Sequence, residues 1–392
     1  MSSPVASPYV RDRLTWLLYA LLGWFAYLQA SPGLVIGHLR RELGFGYTVG
    51  GIHVAAFAVG STLASLLVQR TERRLGRGRL LWSATGLMSL GAVGLVVGQA
   101  PAFTIGGILV MGVGGGLILV TVQAALADHH HHDSRTVALA EANLAASVAY
   151  VVLIGALSLV AALQWGWRVA LLGSLVVPAL LSWVNRRTVV TAALPEHVVT
   201  GRLPPRFWIA AAMLFCTTAA EWCITGWGAT FTEQATGVAT DTAVGLMVGY
   251  FAGVVMGRAL GSRLARRHAP QRLLAGALAL NVVGFIALWP ATTPIQALLG
   301  LALLGVGIGN LFPMGIAVAI SLAPGQSGAA SSRAVMVTGV AVILAPVTIG
   351  ALADATSLST GLLVLPAVLA GAAVCLAALA RSGRDPALRR RR

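Results

Sequence analysis

The chain has 392 residues, 57% of them hydrophobic and only 10% charged, with a net charge of +15. Soluble domains carry charge on roughly a quarter of their residues, so this composition excludes an ordinary soluble domain. Crossing the hydrocarbon core as a helix takes about 20 apolar residues, and twelve such runs are present.

In chain order the predicted spans are Leu14–Ile36, Tyr47–Val68, Leu80–Gly98, Phe103–Ala127, Val137–Leu163, Val169–Val184, Phe207–Phe231, Ala243–Leu264, Leu273–Trp289, Ile295–Leu322, Ala329–Ala353 and Thr360–Ala380. They lack the period-2 alternation of an outer-membrane barrel, so they read as helices. The first is long enough to span and needs no cleavage as a signal. Between spans 6 and 7 lies a polar connection, 186–206, carrying Pro195, Pro204 and Pro205. The expected organisation is an N-terminal bundle over 1–185, this linker over 186–206, and a C-terminal bundle with a basic tail over 207–392.

The arginines sort by side. Arg70, Arg73, Arg74, Arg77 and Arg79 follow span 2, and Arg186, Arg187, Arg202 and Arg206 follow span 6. Arg263, Arg266, Arg267 and Arg272 follow span 8, and Arg381, Arg384 and Arg389 to Arg392 form the tail. Only Arg40, Arg41 and Arg168 fall on the other side. Basic residues gather on the cytoplasmic face, so both termini are expected in the cytoplasm and the protein in the plasma (inner) membrane. The charge is topological, and no nucleic-acid partner is expected. There is no lysine. That excludes a P-loop ATPase site and Schiff-base cofactors. Cys216 and Cys223, seven apart, stand about 10.5 Å apart along one helix, beyond the reach of a disulfide.

The chain also repeats itself. Gly112-Val113-Gly114-Gly115-Gly116-Leu117 returns as Gly305-Val306-Gly307-Ile308-Gly309-Asn310, and Arg79-Leu80-Leu81 as Arg272-Leu273-Leu274, all at an offset of 193. That is close to half the chain. Six spans per half is an even number, so both halves enter from the same side, as in a parallel repeat about the membrane normal. Many of the 46 glycines lie within spans, where they permit close helix approach. Pro313 and Pro346 are expected to kink spans 10 and 11.

The stretch Gly257-Arg258-Ala259-Leu260-Gly261-Ser262-Arg263-Leu264-Ala265-Arg266-Arg267 resembles the second-half copy of motif A of the major facilitator superfamily. Gly166-Trp167-Arg168 before span 6, Gly350-Ala351-Leu352-Ala353-Asp354 ending span 11, and Gly305–Pro313 in span 10 are similar to that family's pattern. The resemblance covers essentially the whole chain. It implies an all-α membrane protein with twelve transmembrane helices in two pseudo-symmetric six-helix bundles. It also implies that spans 1, 4, 7 and 10 line a central cavity, that span 5 faces span 8, and that span 11 faces span 2. Three departures stand out. The first motif copy, Gln69–Arg77, has Glu72 as its only acid. Met111 lies near the place in span 4 where many proton-coupled members carry arginine. Span 5 reads Val151-Val152-Leu153-Ile154-Gly155 where many drug/proton antiporters carry Gly-Pro.

Glu221 is the sharpest candidate. A carboxylate at the bilayer centre costs at least about 2.5 kcal/mol, so it is expected to face a cavity or a partner. Thr217, Glu221 and Thr225 share one helical face. The alternatives are a proton carrier or substrate acceptor on one hand and a structural carboxylate on the other. Trp222 and Trp227 flank that stripe and suit either stacking on a solute or an interfacial place. Tyr27 and Gln29 in span 1 are candidate cavity groups. Asn310, where the other half has Leu117, suits substrate contact and helix–helix hydrogen bonding equally.

Glu141 and Arg258 are expected to pair across the seam between the halves, and Arg333 to meet Glu72 or the carbonyls ending span 2. Such charges would hold an inner gate. His53 is expected to pack, the alternative being an outer pair with Asp354. The run His129 to His132 reads as a solvated loop rather than a metal site. No metal and no cofactor are expected.

Together these features predict a monomeric secondary active transporter, not an enzyme, moving a small solute by alternating access, with protons supplied by a gradient as its coupling partner. The alternatives are a drug or metabolite exporter working by proton antiport and, more remotely, a non-transporting membrane sensor.

Overall fold

The computed structural model describes residues 10–130, 132–186, 188–190, 202–265 and 267–382. Arg187, most of the linker including Pro195, Arg266, His131 and the tail arginines Arg384 and Arg389 to Arg392 lie outside the described residues. Among the described residues fourteen helices follow one another: α1 Arg13–Leu43, α2 Tyr47–Leu75, α3 Arg77–Val97, α4 Pro101–His129, α5 His132–Ala162, α6 Trp167–Ser174, α7 Val176–Val184, α8 Pro205–Thr236, α9 Thr240–Leu264, α10 Pro270–Leu288, α11 Pro294–Ser321, α12 Ser327–Ala355, α13 Leu358–Gly361 and α14 Val364–Ser382. They make twelve spans, with α6–α7 and α13–α14 each forming one. No strand occurs among the described residues.

Helix boundaries follow local chemistry. Pro101, Pro205, Pro270 and Pro294 open α4, α8, α10 and α11, where a missing N–H costs nothing. Asp12 caps α1 by accepting from the Thr15 N–H at 2.9 Å. Burial alone would raise the Asp12 carboxyl, but hydrogen bonds from Thr15 and His129 outweigh it and hold it below the usual carboxylate range. A depressed value means that the cap keeps its full strength at neutral pH and loses it only in strong acid. Helices run beyond the apolar stretches that reveal them. α1 continues from Ile36 to Leu43 and α2 from Val68 to Leu75, carrying charge into the interface. The sixth span breaks at Leu175, because Pro178 has no N–H to give the carbonyl of Ser174.

Glycines set the packing within each bundle. A Cβ on Gly112 in α4 would overlap the Phe57 carbonyl of α2, and one on Gly114 would crowd the Met88 backbone of α3. In the second bundle Gly305 meets the Tyr250 carbonyl of α9, and Gly307 meets Asn281 of α10. Each of these four positions and its neighbour is carried from one half to the other by the offset of 193. The repeat in the sequence is therefore a repeat of contacts.

The bundles meet along α1–α8, α2–α12 and α5–α9. With twelve spans, the start of α1 and the end of α14 lie on one side, the near side; the opposite end is the far side. The far side is sealed. Gly33 of α1 lies against the Thr225 carbonyl of α8, and Gly51 of α2 against Pro346 and Val347 of α12. The N-terminus of α2 has no cap of its own. Asp354 at the end of α12 supplies one, accepting from the Tyr47 and Thr48 N–H groups at 2.7 Å each. Arg40 stacks over the Tyr47 ring at 3.4 Å. Arg41–Glu233 at 3.2 Å and His38–Asp241 at 3.1 Å tie α1 to α8 and α9. His53 is packed, as expected. It stacks on Phe45 and bonds the Val49 carbonyl and Thr104.

On the near side the charges pair within bundles. Arg77 is buried and donates to Glu72 at 2.7 Å and to Asp128 at 2.6 Å. His129 bonds Asp12 at 2.8 Å and His130 bonds Thr15 at 3.0 Å. The start of the histidine run is thus tied to the start of α1 rather than freely solvated. No group of three metal-ligating side chains forms among the described residues.

Two outcomes test this packing. Gly112→Ala forces apart α2 and α4 and should destabilise by about 1–3 kcal/mol, the usual cost of overpacking. Gly106→Ala, which meets nothing within 4 Å, should leave thermal melting in detergent unchanged. Asp354→Ala removes a cap worth about 0.5–2 kcal/mol to the sealed far side. Spin labels on the exposed loop residues Gln99 and Ala239 should then show a longer-distance population enriched by about twofold to thirtyfold. An unchanged distance distribution would mean that Asp354 does not hold the seal.

Candidate functional site

Glu221 lies mid-helix in α8, half-buried, one turn before Thr225. No described residue hydrogen-bonds its carboxylate. Arg258 of α9 is the cation whose charge acts on it. Both charges also reach the hydroxyls of Tyr150 on α5 and Tyr250 on α9. Tyr250 donates to the Glu221 carbonyl at 3.3 Å and shares a hydrogen bond with Thr225 at 3.3 Å.

The cluster crosses between the bundles. Tyr150 donates to Gln29 of α1 at 3.2 Å. Its ring lies 5.0 Å from that of Phe251, which in turn packs edge-on against Tyr250 at 5.0 Å. The Arg258 guanidinium donates to the Ser147 hydroxyl of α5. Helical spacing makes this possible. Ser147 and Tyr150 are three apart on α5, Glu221 and Thr225 four apart on α8, and Tyr250 and Arg258 eight apart on α9, so each set shares a face. Four elements therefore bring an acid, a base, two phenols and an amide to one stretch of the seam.

Other expected site residues lie elsewhere. Thr217 is buried and donates back to the Leu214 carbonyl of its own helix at 3.1 Å. Tyr27 is buried and donates to the Ala170 carbonyl of α6 at 2.9 Å, so it faces its own bundle. Trp222 is half-buried and packs against the apolar core. Trp227 belongs to the far-side seal. Its indole donates to the Pro346 carbonyl at 2.9 Å and its ring lies 5.7 Å from Tyr47, leaving no face for a solute. Asn310 donates to the Gly257 carbonyl at 2.6 Å, which joins α11 to α9 one residue from Arg258.

The charge pairs expected at the gate are not the ones formed. Glu141 is held by Arg11 at 2.6 Å and by Tyr19 at 3.2 Å, both in its own bundle. Arg258 sits closer to mid-membrane and meets Ser147, roughly two turns from Glu141 along α5. Glu72 is taken by Arg77, and Arg333 is exposed. Sequence reasoning passed over Tyr150, Tyr250 and Ser147. The available signal was that only 6 tyrosines occur in the chain, and that Tyr150 and Tyr250, like Tyr27, lie mid-span.

The Major Facilitator Superfamily model matches residues 15–256 and, again, 210–392. Among solved structures, a bacterial homologue of the human lysosomal transporter Spinster, inward-facing and unoccupied, aligns with a TM-score of 0.77 at 12% identity, over 97% of this chain and 100% of its own. A peptide transporter aligns with a TM-score of 0.75 at 14% identity, covering 94% of this chain and 95% of its own. A D-xylose–proton symporter aligns with a TM-score of 0.73 at 15% identity, covering 93% and 96%. At these identities the likeness is one of fold. No curated protein sequence matches the chain. The family matches run through both bundles and across the seam that holds Glu221 and Arg258, and on them the chain belongs to the Major Facilitator Superfamily of transporters.

Proposed function

We propose that this protein is a secondary active transporter that moves a small polar solute by alternating access, with Glu221 as its proton-handling group. The observation that carries the reading is the Glu221–Arg258 neighbourhood at the seam. An acid and a guanidinium near each other at the seam, in hydrocarbon, are a functional arrangement by default. The bundles 1–185 and 207–392 rock about the seam as two bodies joined by 186–206. The near side carries most of the arginines, which supports placing it, with both termini, in the cytoplasm of a plasma (inner) membrane. On that assignment the sealed far side makes this an inward-facing form. The protein acts as a monomer and converts nothing chemically.

Arg258 links protonation to the seam. With Glu221 protonated, Arg258 is free to bond Ser147 on the opposite bundle. Once Glu221 gives up its proton, its charge draws Arg258 back toward α8 and weakens the bond across to α5. The two protonation states thus favour different seam geometries, which is what coupling requires. Gln29, Tyr150, Tyr250 and Thr225 supply donors and acceptors for a hydroxylated or amide-bearing solute. The buried Phe251 ring packs between the two phenols and holds them in place.

A thermal-shift screen of sugars, nucleosides, short peptides and amphiphilic drugs on detergent-purified protein identifies the solute class, because a ligand stabilises the fold it binds. With that solute radiolabelled, uptake into proteoliposomes should rise with an imposed pH gradient. Glu221→Gln should abolish that rise while solute exchange at zero gradient persists. A variant that still responds to the gradient would remove Glu221 from the coupling step.

A further inference from the structure

The two bundles differ in how their last span closes. In the second, α14 lies along α8. In the first, the sixth span is tied to α1 at its far end, where Glu42 accepts from Trp167 at 3.0 Å and from Arg168 at 2.6 Å. Further in, Tyr27 donates to the Ala170 carbonyl at 2.9 Å and Trp24 to the Ser174 hydroxyl at 3.4 Å. On the near side Arg13 donates to the Asn185 side chain at 3.0 Å and to the Val184 carbonyl. Between these clamps the chain bends at Leu175, and α7 stands off from α1.

The result is a groove of about 930 Å³ among α1, α5 and the sixth span. Its floor is Trp24 and Tyr27, both buried. Its rim is Trp16, Leu144, Val148, Val152 and Val177, which are 41–59% exposed. It opens away from the seam, toward hydrocarbon. From Trp16 to Tyr27 it follows 11 residues of α1, about 16 Å. One leaflet's hydrocarbon is about 15 Å deep, so the groove has room for a whole acyl chain.

Its near mouth is basic. Arg11 there is neutralised by Glu141. Arg13, one turn before Trp16 on α1, and Arg186, just past α7, line a second pocket of about 310 Å³ together with Trp183 and Val184. The partners of Arg13 are a neutral amide and a carbonyl, and among the described residues no acid pairs with Arg13 or with Arg186. Two uncompensated guanidinium groups at the end of an apolar slot match an anionic head on a hydrocarbon tail. Arginine suits a phosphate because its planar fork can donate two bonds at once.

We propose that this groove is a binding site for one anionic phospholipid of the near-side leaflet, with its phosphate on Arg13 and Arg186 and one acyl chain between α1, α5 and α7. The lipid completes the packing that α14 provides in the second bundle. It braces α1 and α5 from behind, and these are the helices that present Gln29, Ser147 and Tyr150 to the seam. The site is separate from the transport reading and stands or falls without it.

Native mass spectrometry of the full chain, titrated with phosphatidylglycerol or with phosphatidylcholine of identical chains, tests it. One phosphatidylglycerol should be retained with a preference of about tenfold or more, since each basic residue beside an anionic headgroup contributes about fivefold. Arg13→Gln with Arg186→Gln should erase the preference while a chain still binds. Val148→Phe, which fills the slot and leaves both arginines, should lower retention of both lipids. Inorganic phosphate should not displace the lipid. Equal retention of the two headgroups, or full retention by the Val148→Phe variant, would overturn the proposal. Displacement by inorganic phosphate would also overturn it, because the site would then be one for a free anion. Because Arg13 also clamps the sixth span, each variant is compared at matched thermal stability, and Val148→Phe decides the matter if the double arginine variant unfolds.

Discussion

Hydrocarbon hydrates nothing, so a charged or polar group inside the membrane has to be satisfied by the protein itself. That demand explains most of the polar architecture. Arg77 is buried because Glu72 and Asp128 both meet it. Glu141 is tolerated because Tyr19 of α1 and Arg11, just before that helix, reach it. Asp354 is spent on the bare N-terminus of α2, where backbone N–H groups and the helix dipole both favour a carboxylate. Glu221 differs from all of these. A cation acts on it, two phenols lie near it, and no described residue hydrogen-bonds its carboxylate. Of these acids, the one whose carboxylate lacks a hydrogen bond is placed where the bundles must part.

The same solvent removes the usual force that drives helices together. Lipid tails are as apolar as leucine, so helices associate by close backbone packing. Inside each bundle the glycines of α4 and α11 do this work permanently. At the seam, Gly33 and Gly51 allow the same closeness between bundles. A seal made of backbone contact, one carboxylate cap and a few exposed ion pairs is tight yet cheap to open. Exposed ion pairs contribute little, typically about 0–1 kcal/mol each. Alternation between two forms needs a seal of that strength rather than a fused core.

The twelve spans and the two-bundle plan were legible because hydropathy and glycine periodicity are local signals that tertiary contacts reinforce. The glycine repeat told more than expected, since Phe57 and Tyr250 occupy the same contact in their two halves. Pairing of charges was much less legible. Glu141 and Arg258 lie in helices that do face each other, but depth along a helix depends on its start and tilt, and a shift of two turns gave each a different partner. Arg11 lay just before the first predicted span and so was never weighed as that partner. Trp227 could not be told from a cavity residue by sequence, because one helical turn separates a seal from a site. The break at Leu175 was signalled by Pro178, yet a proline in a transmembrane span tells where a helix bends and not what the bend leaves open.

The departures from symmetry locate the chemistry. At the offset that superposes the packing glycines, Glu221 falls on Leu28, Arg258 on Ser65 and Asn310 on Leu117. The first bundle answers with Ser147 and Tyr150, whose counterparts are Val340 and Ile343. Each half thus keeps the scaffold and changes a few positions, charges in one and neutral hydroxyls in the other. A charge facing a neutral dipole across a moving seam can be released and remade at modest cost, whereas two opposite charges would lock it. Arg258 on Ser147 therefore suits a seam that has to open, and a salt bridge at that depth would suit one that stays shut.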